Sequence, residues 1–153
     1  MTFEPSRAGG HLIIAGVDGS PASKAALAWA VRQAQLTGAG VEAVIAWQFP
    51  PTYGYPVTVA PAADWEKISA EVVDDAIAGV PVPADVPVTR TVVEGNAARV
   101  LLDAAKNADL LVVGNRGHGG FVEALLGSVS QHCVHHADCP VVVVRAPDTG
   151  PGF

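Results

Sequence analysis

Five apolar runs punctuate the chain: LIIAGV at 12–17, VEAVIAW at 41–47, VPVTRTVV at 86–93, DLLVVG at 109–114 and PVVVVR at 140–145. The first, fourth and fifth are almost continuously apolar, the pattern of parallel strands covered on both faces. The third alternates more, which predicts a place nearer a sheet edge. Four stretches of helical spacing lie between the runs. Ser20 and Pro21 read as N-cap and first helical position; Leu27, Ala30, Val31 and Ala34 then share one face, and Gly38 stops the helix. A second helix over 61–79 aligns Trp65, Ile68, Val72 and Ala76, with acidic residues opposite. Asn96 caps a third, AARVLLDAAKN. A fourth begins near Gly127 or Ser128 and ends around Ala137, before Cys139 and Pro140.

Strands alternating with helices predict right-handed crossovers and an α/β fold, an open five-stranded parallel sheet in the order 3-2-1-4-5 with helices on both faces. A length of 153 residues suits one domain, drawn here at 11–145 between loose tails at 1–10 and 146–153. The proline-rich segment FPPTYGYPVTVAP, 49–61, connects the second strand to the second helix and is longer than most loops.

Composition narrows the function. Hydrophobic residues make up 50% of the chain and charged ones 16%, as in a compact domain. A net charge of -6 with nine Lys and Arg gives no basic patch, which argues against nucleic acid as a partner. No apolar run reaches the roughly 20 residues of a membrane span, and MTFEPSRAGG has no apolar core of a signal peptide. No membrane association and a cytoplasmic location are therefore expected. The two cysteines, Cys133 and Cys139, fit a reducing compartment.

In such a sheet, ligands sit beyond the strand ends where the strand order reverses. That brings together the ends of strands one and four: Gly16, Val17 and Asp18 on one side, Gly114, Asn115, Arg116 and Gly117 on the other. Glycines permit close backbone approach, and a helix start at Gly127, Ser128, Val129 and Ser130 offers N–H groups and hydroxyls to an anion. Asp18 would repel phosphate but accepts from a ribose hydroxyl or a base amine; alternatively it serves a turn before the first helix. The segment contains neither a P-loop nor the GxGxxG dinucleotide fingerprint. What remains is Gly114-x2-Gly117-x9-Gly127-Ser128.

That spacing, together with the stretch DLLVVGNRGHGGFVEALLGSVSQHCVHHADCPVVVVR and the VDGS after the first strand, closely resembles the ATP-binding branch of the universal stress protein family. The resemblance runs from about 11 to 145 and implies a single-domain member with a Rossmann-like fold of the adenine nucleotide alpha hydrolase type. It implies a nucleotide across the crevice: Gly16, Val17 and Asp18 at base and ribose, Ala46 and Trp47 at adenine. Val113, Gly114 and Gly117 would follow the ribose and phosphate path, flanked by Asn115 and Arg116. Gly127, Ser128, Val129 and Ser130 would meet the phosphates, with any Mg or Mn carried by the nucleotide and not by protein side chains. ATP is the ligand implied, with ADP, AMP or a cyclic nucleotide as alternatives. The last strand, 140–145, resembles the edge through which family members form homodimers. The function implied is a nucleotide-dependent regulatory switch in a stress response, read by a protein partner that the sequence does not identify.

Two other readings stay open: a slow ATPase or nucleotidyl-transfer enzyme in the same crevice, and a ligand-free structural dimer. His118 lies among the glycines, yet no nucleophile, second base or metal triad accompanies it, so no catalytic residue is assigned. His132, His136 and Cys139 have spacing that invites a metal, but the string straddles a helix end. His135 and His136 suit the negative end of a helix, and the cysteines suit core packing.

Overall fold

The computed structural model describes residues 11–49, 53–54, 60–116 and 126–146. Continuous apolar runs become strands β1 (Leu12–Gly16), β2 (Gly40–Trp47), β3 (Val88–Glu94), β4 (Leu110–Gly114) and β5 (Val141–Val144). Between them lie α1 (Pro21–Thr37), α2 (Ala62–Ala78), α3 (Ala97–Ala105) and α4 (Ser128–His136). The strands form one sheet in the order β3-β2-β1-β4-β5, and every pairing is parallel. The alternating third run does lie at an edge, and the short apolar β5 closes the other.

Because successive strand residues point to opposite faces, each strand feeds two cores. Ile13, Ala15, Val41, Ala43, Ile45 and Val112 face α1 and α2, where they meet Leu27, Ala30, Val31, Ala34 and Val73. Ile14, Val44, Leu111 and Val113 face the other way, against Val100, Leu101, Ala105 and Cys133 of α3 and α4. The first helix is as its pattern predicts: Ser20 Oγ accepts from Ser23 N–H at 3.2 Å, Pro21 opens the helix, and Gly38 ends it in the left-handed conformation, φ 77°. Asn96 Oδ1 likewise accepts from Arg99 N–H at 3.2 Å at the start of α3.

The second helix requires a correction. Its inward stripe is Ser69, Val73 and Ala76, with Val72 and Ile77 alongside, whereas Ile68 is 53% exposed. Trp65 is half-buried and donates its indole N–H to Ala60 O at 3.1 Å. The helix lies over β2 and the edge strand β3, so part of its apolar side overhangs solvent. The large side chains Trp65 and Ile68 sit on that overhang, and the smaller residues meet the sheet.

One glycine fixes how the layers meet. A Cβ on Gly114 would lie 2.7 Å from the carbonyl carbon of Ala22 and 2.8 Å from Ser23 N, both backbone atoms of the first turn of α1. Neither can yield without moving a helix. Gly114→Ala is therefore expected to lower folding stability by about 1–3 kcal/mol through overpacking. Urea unfolding of the variant measures this, and an unchanged midpoint would contradict the packing role.

Candidate functional site

Beyond the carboxyl ends of β1, β2 and β4 opens a crevice of about 260 Å³. Of the residues singled out in the sequence, Gly16, Val17, Asp18, Ala46, Val113, Gly114, Arg116, Gly127, Ser128, Val129 and Ser130 line it. Ser23, Val44, Ala97 and Leu101 line it as well. Period-two alternation from Ala46 back to Val44 points to the second of these, and the four-residue helical spacing of Ala97 and Leu101 gives one flank of α3. Nothing in the local pattern singles out Ser23.

Two of the sequence candidates stand elsewhere. Trp47 ends β2 outside the lining and packs edge-on against Phe49, ring centroids 5.4 Å apart. Asn115 is buried and acts as a strut: its N–H donates to Val144 O at 2.8 Å, and its carbonyl accepts from Gly127 N–H at 2.7 Å and from Ser130 Oγ at 3.2 Å. It thereby ties the end of β4 to β5 and to the start of α4. Gly117 lies outside the described residues, as does His118.

Asp18 serves the turn that its sequence context allows. Its Oδ1 accepts from Ser20 N–H at 2.8 Å, while its own N–H donates to Ser23 Oγ at 3.2 Å. These bonds hold the carboxylate at the crevice wall, so turn formation and lining are one arrangement.

At the opposite wall, α4 points its amino end into the space. Gly127 N–H and the Ser130 hydroxyl are spent internally, the hydroxyl donating to the carbonyls of Asn115 and Gly127. Ser128, Val129 and Ser130 are the first three residues of the helix, whose N–H groups have no intrahelical partner. No side chain caps this end and no acidic residue occupies its first turn. The crevice thus joins apolar walls (Val17, Val44, Ala46, Leu101, Val113) to a cluster of backbone donors at the positive end of a helix. Such a pair of surfaces matches a ligand with a flat apolar part and an anionic tail.

The sequence model of the universal stress protein family matches residues 11–145. The chain belongs to the universal stress protein family. A universal stress protein of Mycobacterium tuberculosis is 37% identical over 137 residues, covering 87% of this chain and 45% of the relative. One from Mycolicibacterium smegmatis is 35% identical over 151 residues, covering 89% of this chain and 48% of its own length. The chain therefore spans about half the length of the curated relatives it matches. Among solved structures, the universal stress protein UspA from Lactobacillus plantarum superposes with a TM-score of 0.65 at 26% identity, covering 88% of this chain and 97% of that one. A universal stress protein in complex with cAMP gives 0.59 at 24% identity, covering 90% and 98%. An Arabidopsis thaliana family protein with AMP bound gives 0.55 at 20% identity, covering 93% and 97%.

The histidines and cysteines of α4 divide between surface and core. His132 and His136 hold their rings 6.0 Å apart on the exposed side, with His132 Nδ1 3.0 Å from Ser128 O. Cys133 is fully buried in the core under α3 and α4, and Cys139 is half-buried beside it. Among the described residues no three His, Cys, Asp or Glu side chains converge as a metal site. Burial pushes the Cys133 thiol up from 9.0 to about 11, with Cys139 adding to the effect. The thiolate is the form disfavoured by folding, so this group leaves stability untouched below about pH 9 and weakens it as pH rises toward 11. Cys133 is expected to react with a maleimide at pH 8 only as fast as the protein unfolds; labelling at the rate of a free thiol would contradict its burial.

Proposed function

We propose that the chain binds an adenine nucleotide, ATP in the first instance, and works as a nucleotide-dependent switch in a cytoplasmic stress response. The observation that carries this reading is the meeting, at the reversal of strand order, of an apolar wall with the uncapped amino end of α4. The base would lie among Val17, Val44 and Ala46, which asks little of a purine beyond a flat apolar face. Asp18 Oδ2 would accept from a ribose hydroxyl while Oδ1 keeps its bond to Ser20. The phosphates would lie on the N–H groups of Ser128, Val129 and Ser130, with the Ser128 hydroxyl as a further donor. Gly114, Arg116 and Gly117 would border the phosphate path, and Mg or Mn would arrive with the nucleotide. Asn115 would contribute by positioning α4, and Trp47 by closing the adenine end.

Solved structures of the same fold support an adenine ligand, since their names record cAMP, AMP and dAMP. ADP, AMP and cyclic nucleotides share the base and ribose contacts and differ at α4. A switch requires that the nucleotide favour one of two states. The partner that reads it would be a protein contacting surfaces near the crevice.

The same proposal pairs two copies through β5. Val141–Val144 forms a sheet edge, each residue half-buried, and an apolar edge left bare invites association. Native mass spectrometry of purified protein given ATP and magnesium tests both parts together. The expected species contains two chains and two adenine nucleotides. A dimer without nucleotide would overturn the ligand reading, and a nucleotide-loaded monomer would overturn the β5 interface.

A further inference from the structure

A second cavity, of about 550 Å³, lies on the other flank of α3, between that helix and the strands β2 and β3. Ala97 and Leu101 face the crevice already described, whereas Val100 and Ala104 face this groove together with Val44 and Val93. Into the apolar surface projects Glu42, a charged residue in the middle of β2, flanked in register by Ile14 and Thr89. Glu42 is 2% exposed. Its Oε1 accepts a bond from Thr91 Oγ1, and its Oε2 is buried without a partner among the described residues. Buried polar atoms are almost always satisfied, so an orphaned oxygen on a carboxyl group that lines a cavity makes Glu42 the group of this groove best placed to take a donor from outside the chain.

The charges around the groove define that donor. Asp103 is paired with Lys106 at 3.2 Å, and Glu94 and Arg99 offset one another in sign at the rim. Glu42 differs from these in being buried, with one carboxyl oxygen that has no partner among the described residues. Burial raises its carboxyl above the usual range, against the opposing effect of the Thr91 bond, and a cation beside it would reverse that penalty.

We propose that this groove binds a small primary ammonium compound with a short branched apolar body, its ammonium group donating to Glu42 Oε2 and its body lying on Val93, Val100 and Ala104. The groove and the crevice lie on opposite flanks of α3 and share Val44, so the two are told apart by methyls that line only one of them. In the sequence, the one glutamate in VEAVIAW resembles an outward-facing strand residue.

Methyl NMR of valine-labelled protein titrated with isobutylamine at neutral pH, and in parallel with isobutanol, tests it. The amine is expected to move the Val93 and Val100 methyls saturably while leaving Val17 and Val129 still, and the alcohol to produce no saturable shift. Glu42→Gln keeps the shape and removes the charge, and is expected to weaken amine binding by at least about tenfold, as loss of a charge-assisted hydrogen bond does. Ala104→Phe fills the groove without altering Glu42 and is expected to abolish the response, which decides the matter if Glu42→Gln fails to fold. Equal responses to amine and alcohol, no saturable shift with the amine, or undiminished binding in either folded variant would overturn the proposal.

Discussion

The end of β4 comes so near the first turn of α1 that a single added carbon at Gly114 would sit 2.7 Å from backbone. That approach positions the rest of the candidate site. It holds the loops after β1 and β4 side by side, where Asp18 is fixed by Ser20 and Ser23 and where Asn115 begins the chain of bonds to α4. Asn115 then draws Gly127 and Ser130 inward, so the amino end of α4 faces the crevice. The polar contacts that shape the site are mostly between protein groups, and the donors they leave over are the backbone N–H groups at the start of α4.

Parallel pairing makes this arrangement possible. In a sheet whose strands all run one way, every carboxyl end opens on the same side, and the reversal of order between β2-β1 and β4-β5 leaves a gap there that no crossover helix covers. The two cores beneath are built from opposite faces of the same short strands, which leaves little freedom for one layer to slide over the other. The described walls of the crevice therefore rest on a rigid base.

Much of this was legible in the residues. Run length and continuity foretold five strands, the caps Ser20 and Asn96 foretold two helix starts, and the alternation in VPVTRTVV foretold an edge. Three things were not legible. The face of α2 depends on how far a helix overhangs an edge strand, which is a tertiary quantity; Trp65 and Ile68 therefore misdirected the pattern. The glycines of the segment after β4 suggested room for a ligand, but Gly114 makes room for a helix, a distinction that needs the neighbour's coordinates. Asn115 and Ser130 looked like ligand donors by type, and the bond from the Ser130 hydroxyl to the Asn115 carbonyl appears only once residues 115 and 130 are brought together.

Proline substitution at the start of α4 examines the central claim directly. Ser128 is the first residue of the helix, a position where proline is tolerated, and the extended Gly127 before it, φ -71° and ψ 169°, already suits a following proline. Ser128→Pro removes one backbone donor and one hydroxyl while leaving the helix in place. Calorimetric titration with ATP and magnesium is predicted to show one saturable site per chain in the original protein, weakened by about tenfold or more in the variant, as loss of a hydrogen bond to a charged group implies. Equal affinity in the two proteins, or no binding to either, would contradict the account.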